Sequence, residues 1–289
     1  MNRRTAVLSA TVLATAAACS LTTSLSGFST GDVIVISDGG DERAAAEGGG
    51  TSEGGATGEA GSSTYASVVL SDSPFAFYRL GDPGTVARDE VGGHDGTYVG
   101  GVAHATGAIA GEPDTAAVFD GSGSYVDVTA GPSFDGQASF TLEAWVSPTS
   151  GASTPMCVVA KTYAPGGANG NVADGYSFSL SVPDKFLFFT RFKASVAEDV
   201  SGPPLPVGVF THVVATYEAT KLAIWVNGEL AGSATSGATL ADTTNHLTIG
   251  GGRGGVFCYF RGALDEVAIY PTVLSVARIK AHHQAGITK

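Results

Sequence analysis

Carboxylates, cysteines and loop aromatics are the residues whose chemistry could matter in this chain, and their spacing narrows what that chemistry is. Cleavage of a glycosidic bond needs two carboxyl groups held a fixed distance apart. No Glu-x-Asp-x-x-Glu run occurs, the apolar segment Phe140–Val146 carries only Glu143, and Asp265 and Glu266 are neighbours. Adjacent residues on a strand point to opposite faces, so Asp265 and Glu266 are not expected to act as a facing pair. The spacing speaks against an enzyme and leaves binding as the function to look for. Sugars are held by planar hydrogen-bonding side chains and an exposed aromatic face. Tyr163, Asn169, Asn171, Asp174, Arg253 and Tyr259 have those types and sit in loop-like sequence, although each also reads as an ordinary solvated residue. His282 and His283 close a terminal helical pattern, where positive charge suits the helix dipole, and lack the second cluster a metal site would need.

Charge excludes one class of partner. The net charge is −12 and only 15 Lys and Arg are spread along the chain, with no basic stripe of the kind that nucleic acid requires.

The first residues read as an export signal. Arg3 and Arg4 precede an apolar run from Ala6, and small residues lead into Cys19. The run is too short for a stable transmembrane helix. Ala16-Ala17-Ala18-Cys19 is similar to a bacterial lipobox, in which Cys19 is lipidated; plain cleavage is the alternative. Export would place Cys157 and Cys258 in an oxidising compartment, where a disulfide is the economical reading and two separately buried thiols the other. Segment 20–64 is dominated by Gly, Ala, Ser, Thr and Glu, with its few large apolar residues confined to 21–36, where Val33-Ile34-Val35-Ile36 could pair as a strand, so it reads as a disordered tether. A flexible chain of that length holds its domain about 35–40 Å from an anchor.

From Tyr65 to Lys289 the pattern changes to short alternating segments separated by Gly, Pro, Asn and Asp. This is the signature of an all-β body, a sandwich of two antiparallel sheets. Expected strands are Phe75–Leu80, Ala117–Phe119, Tyr125–Val128, Phe140–Val146, Cys157–Lys161, Tyr176–Ser181, Phe186–Phe192, His212–Glu218, Lys221–Val226, His246–Gly250 and Leu264–Tyr270. Asn227-Gly228 supplies the two positive-φ positions of a type I′ hairpin turn. Phe186–Phe192 is apolar on both faces for most of its length and reads as a central strand, and Trp145 and Tyr78 read as filling between the sheets. One short helix is expected near the end, capped by Ser275 and stopped by Gly286.

Six segments carry a resemblance: Phe77-Tyr78-Arg79-Leu80-Gly81, Phe119-Asp120-Gly121 with Tyr125-Val126, Phe140 to Val146, His212 to Tyr217, Leu222 to Gly228, and Arg261 to Tyr270. In this order, with Leu274-Ser275 and Ala277-Arg278-Ile279 closing, the chain resembles the bacterial laminin-G-like, concanavalin A-like lectin/glucanase domain. The resemblance implies a jelly-roll β-sandwich over 65–289. Trp225 departs from the Tyr more common in the family. The resemblance also implies a structural Ca²⁺ near the sandwich rim, with Asp120 and Asp265 at the best-matching positions and Asp89 a third candidate. Alternatively Asp120 caps a tight turn and Asp265 pairs with a nearby Arg such as Arg79. The expected function is non-catalytic recognition of a polysaccharide or glycoprotein at the cell surface, with membrane attachment only through the N-terminal lipid; a protein–protein adhesion domain is the alternative, and a glycan-cleaving enzyme a distant one.

Overall fold

Alternation of apolar and polar side chains builds two facing sheets. In the computed structural model the described residues are 64–129, 131–134, 139–150, 152, 154–162, 175–181, 186–193, 196–236, 245–252 and 258–288. The elements run α1 (Tyr65–Leu70), β1 (Ala76–Tyr78), β2 (Val86–Ala87), β3 (Gly96–Val99), β4 (Ala103–Thr106), β5 (Thr115–Asp120), β6 (Tyr125–Val128), β7 (Ser139–Pro148) and β8 (Met156–Thr162). They continue with β9 (Gly175–Leu180), β10 (Phe186–Lys193), β11 (Val196–Pro204), β12 (Thr211–Glu218), β13 (Lys221–Val226), β14 (Glu229–Thr235), β15 (Leu247–Ile249), β16 (Arg261–Tyr270) and α2 (Val276–Ile287).

Sheet A has the order β14-β13-β12-β7-β16-β5-β4, with β1 also on β16; sheet B has the order β11-β10-β9-β8-β15-β6-β3-β2. Every pairing is antiparallel, which makes a jelly-roll sandwich of the expected class. Phe140, Leu142, Ala144 and Val146 of β7 face the inter-sheet core with Val213, Ala215 and Tyr217 of β12 and with Tyr176, Phe178 and Phe189 from sheet B. Tyr78 joins this core, and β10 is paired on both sides, as its apolar run implies. Asn227 and Gly228 have φ of 51° and 80°, so the β13–β14 turn is the one that its dipeptide demands.

Four expectations need correction. Helix α1 was not expected, because its six residues carry no helical period long enough to register; Thr64 caps it. Strands β2, β3, β4 and β11 were also missed, and β14 was implied only by the hairpin turn: β4 is exposed throughout, and a fully exposed strand has no alternation to detect. Trp145 is buried, but not between the sheets. It lies on the outer face of sheet A in a second apolar cluster with Tyr65, Val214, Tyr270 and Ile279, beneath the helices.

Helix α2 also runs through Gly286 rather than stopping there. A Cβ at Gly286 would come within 2.2 Å of Trp145 Cζ2, so the glycine is there for close approach of the helix to a flat ring. Helix propensity alone would favour alanine at such a position by about 1 kcal/mol. Overpacking opposes it by about 1–3 kcal/mol, and the indole, held between helix and sheet, has little room to retreat. Gly286→Ala is therefore expected to lower the melting temperature, measured by thermal denaturation; an increase would show that α2 packs more loosely than this.

Candidate functional site

The chemistry-bearing side chains gather in three places. The first is on β16, where the sequence reading fails instructively. The β7–β16 register slips between Asp265 and Ala268, and Glu266 takes a φ of 50°. This bulge breaks the two-residue alternation, so Asp265 and Glu266 do not diverge to opposite faces. Each offers a ligating atom, together with Asp114, in a group whose atoms lie within 4.8 Å of one another. Arg79 enters the same group: Nη2 lies 2.9 Å and Nε 3.0 Å from Glu266 Oε1, Nη2 also bonds Glu112 Oε2, and Nε sits 3.0 Å from Asp114 Oδ2. The expected Arg79–Asp265 pair is thus replaced by pairs to Glu266, Glu112 and Asp114. Asp265 instead accepts from the backbone N–H of Ala108, at 2.7 Å.

Four carboxylates around one guanidinium leave negative charge uncompensated. Desolvation, strengthened by the Asp114 charge, pushes Asp265 up to about 7, and burial with the Asp265 charge pushes Glu266 up as well. Glu266 Oε2 is buried without a hydrogen-bond donor, and Asp114 Oδ2, also buried, has the Arg79 ion pair in place of a hydrogen bond. A small cavity of about 190 Å³ lined by Arg79, Asp82, Glu90 and Asp114 adjoins them.

The other two metal candidates stand apart from this group. Asp120 ends β5, where its carboxylate accepts from the backbone N–H of Ser122, Gly123 and Ser124 and from the hydroxyls of Ser122 and Ser124. Those bonds hold it well below the usual carboxylate range and close the turn into β6. Asp89 is buried and accepts from the N–H of Phe77, Val91 and His94, which fastens the 89–95 loop to β1.

The second place is the outer face of sheet B. Cys157 of β8 and Cys258 are joined by a disulfide with their Cα atoms 5.3 Å apart, and the Cys157 N–H donates to the Cys258 carbonyl. Thr248 donates to the Gly251 carbonyl at 2.6 Å, and Asn245 donates to the Thr162 carbonyl. Thr162 pairs with Gly175 across β8 and β9. The described ends of three connections, 163–174, 237–244 and 253–257, are therefore fastened to β8, β9 and β15. Beside them Tyr259 and Tyr125 meet with ring centroids 6.3 Å apart, and His246 pairs with Asp127. Tyr163, Asn169, Asn171, Asp174 and Arg253 lie outside the described residues.

The third place escaped the sequence reading. Glu143, on the outer face of β7, is fully buried and accepts from Tyr65 Oη at 3.0 Å, Tyr270 Oη at 2.8 Å, His212 Nε2 at 2.7 Å and His282 Nδ1 at 2.9 Å. His282 Nε2 reaches Asp72 Oδ2 at 2.7 Å, and Asp72 is clasped by Arg278. His282 is thus not a solvated helix end. It is an imidazolium between two carboxylates, and with Arg278 it balances Glu143 and Asp72. Burial alone would push Glu143 up, but the His282 charge and the bonds from both histidines hold it well below the usual carboxylate range. Burial opposes the His282 charge too, and Glu143 and Asp72 outweigh it, so its pKa is raised. The i, i+4 pair Arg278 and His282 on one helix face was the only signal, and it had no visible partner.

These sheets and sites define a concanavalin A-like sandwich. Residues 120–280 match the model of the concanavalin A-like lectin/glucanases superfamily, more than half of the chain, and the protein belongs to that family. No curated protein matches the chain in sequence. Among solved structures it is similar to Domain 4 of AbnA, a GH43 extracellular arabinanase from Geobacillus stearothermophilus, in complex with arabinotriose, with 19% identity, TM-score 0.55, and 72% of this chain and 97% of that one covered. It is also similar to the binding domain of botulinum neurotoxin DC in complex with SialylT, with 14% identity, TM-score 0.54, and 74% and 51% covered. The Trypanosoma rangeli sialidase in complex with sialic acid is similar at 17% identity and TM-score 0.51, with 72% and 32% covered. This chain therefore spans about half of the neurotoxin chain and a third of the sialidase.

The charge state of His282 sets a pH dependence. A histidine whose folded pKa lies above its unfolded value of 6.5 contributes stability that is complete below 6.5 and is lost as pH rises through the folded value. Asp265 has the same sign over a lower window, from 3.8 to about 7. Wild type is expected to lose stability above pH 7 more steeply than His282→Asn in denaturant titrations at successive pH values. Parallel slopes would mean that His282 is neutral in the fold.

Proposed function

We propose that this domain is a non-catalytic recognition module for carbohydrate or glycoprotein, engaging its ligand at the rim of sheet B. The supporting observation is the fastening of three connections to one stretch of that sheet by a disulfide and by hydrogen bonds from Asn245 and Thr248, beside the Tyr125–Tyr259 pair. The candidates Tyr163, Asn169, Asn171, Asp174 and Arg253 belong to two of these connections, and Tyr259 follows the second. The arabinanase domain of this fold is solved with arabinotriose, and the sialidase, a third of which is matched, with sialic acid, an analogy at the level of architecture.

Recognition rather than cleavage is favoured by the burial of the Asp265–Glu266 pair, part of the one clustered acidic group found among the described residues. Asp265 and Glu266 are both 0% exposed and Glu266 is held by Arg79, so a glycosidic oxygen has no route to them. We further propose that Asp265, Asp114 and Glu266 hold the structural Ca²⁺ that the family suggests; the oxygen-only set and the donor-less Glu266 Oε2 suit a hard cation. The ion would supply positive charge to a site short of it. Export, with a lipid on Cys19 and segment 20–64 as a tether, would present the domain at the cell surface.

A polysaccharide and glycan array probed with the purified protein in CaCl₂ and again with chelator tests the reading. Retention of a glycan is expected, with loss of binding in Tyr259→Ala. Binding to no glycan would leave protein adhesion as the function. For the ion, CaCl₂ is expected to raise the melting temperature of wild type but not of Asp265→Asn; equal shifts would place any calcium elsewhere.

A further inference from the structure

A groove on the other sheet has the make-up of a second sugar site. On the outer face of sheet A, successive same-face residues of β12 (Thr216, Glu218) stand opposite those of β13 (Ala223, Lys221), and Trp225 follows one step along. The groove over them encloses about 460 Å³ and is walled by 273–276, the segment leading into α2. That volume lies within the range of small-ligand sites, about 300–1,000 Å³.

The wall is fixed in place. Thr141 Oγ1 donates to the Thr272 carbonyl at 2.8 Å and accepts the Leu274 N–H at 3.1 Å, and Ser275 caps α2. Buried Ala223 gives the groove its depth, because a larger side chain there would fill it. Val276 is 47% exposed on the wall, and Trp225 is half-buried on the floor with Nε1 directed to Thr216 Oγ1 at 3.5 Å. At the far end Glu218 and Lys221 face each other across the hairpin, both exposed, yet form no ion pair.

We propose that this groove binds a neutral saccharide segment of one or two rings, as a site separate from the rim of sheet B. A sugar ring has an apolar C–H face and a polar edge. The indole of Trp225 with Ala223 and Val276 meets the face, while Glu218 accepts from hydroxyls and Lys221 donates to them. Two opposite charges at one end disfavour an anionic sugar, which Glu218 repels, and a cationic one, which Lys221 repels. An apolar peptide would leave both charges desolvated beside it. Trp at position 225 puts a large aromatic face in this groove. The proposal rests on the carbohydrate reading but places a second subsite where the rim loops do not reach.

The test uses the intact protein, neutral trisaccharides (cellotriose, maltotriose and arabinotriose) and sialyllactose as the anionic control. Trp145 is only 3% exposed, so acrylamide quenching reports Trp225. At least one neutral trisaccharide is expected to protect Trp225 from quenching, with sialyllactose giving none. Glu218→Gln and Lys221→Met, exposed changes that leave the fold intact, are each expected to weaken that protection about tenfold, the worth of one hydrogen bond to a charged group. If a trisaccharide binds by calorimetry, quenching is unchanged, and only Tyr259→Ala abolishes binding, the groove is refuted while the rim reading stands. If none of the sugars binds, the groove is refuted, and the glycan array decides the rim reading by itself.

Discussion

One buried carboxylate organises the back of this domain. Glu143 sits in the middle of sheet A's outer face with no exposure to water, a position that would cost several kcal/mol for an unpaired charge. It is tolerable only because four donors converge on it from four separate segments: Tyr65 from α1, His212 from β12, Tyr270 from β16 and His282 from α2. Each donor is satisfied only when its element is docked. The two helices, at opposite ends of the folded sequence, are thereby tied to the same point on the sheet. Asp72 and Arg278 extend the network between them. Trp145 and Gly286 then pack the remaining gap, which makes the helix-covered region of sheet A a closed polar core wrapped in apolar contacts.

That closure divides the surface into regions of different use. Where α1 and α2 cover sheet A, its outer residues serve stability. Beyond the start of α2, over β12 and β13, the same face is open, and its alternate positions carry hydroxyls, opposite charges and an indole rather than apolar groups. Sheet B has no helix on it among the described residues; its outer face receives the disulfide-tied end of the 253–257 connection instead. The β16 bulge forms a third region, where burial and like charge keep Asp265 and Glu266 protonated more readily than free carboxyls and Arg79 supplies the balancing charge. Both proposed surfaces thus adjoin fastened segments, one tied by the Cys157–Cys258 cross-link and one by Thr141 beneath the 272–274 segment.

Most of the sandwich was legible in the sequence because its inner strands are half-buried, and half-burial writes a two-residue period. Phe140, Leu142, Ala144 and Val146 declare one face of β7, Leu222, Ile224 and Val226 one face of β13, and Asn227-Gly228 a turn that few dipeptides make. Ser275 as the cap of α2 was legible for the same local reason: a side-chain oxygen meets an N–H three residues on. These are interactions between residues close in the chain, or patterns imposed by a plane of symmetry between core and solvent.

Tertiary structure alone decided what the charged residues do. Local alternation assigns Asp265 and Glu266 to opposite faces, and only the register slip against β7 brings them together with Asp114, which lies about 150 residues away in sequence. Likewise Glu143 and His282 are 139 residues apart, so nothing near either residue announces its partner. The cysteine pair was readable as a possibility, but its geometry required β8 and the residue before Tyr259 to meet, across a separation of 101 residues. Hydrophobic patterning acts through burial, which each segment experiences on its own and so records locally. Charge pairing acts at hydrogen-bond range between segments that only the fold brings into contact, and a sequence does not record which segments those are.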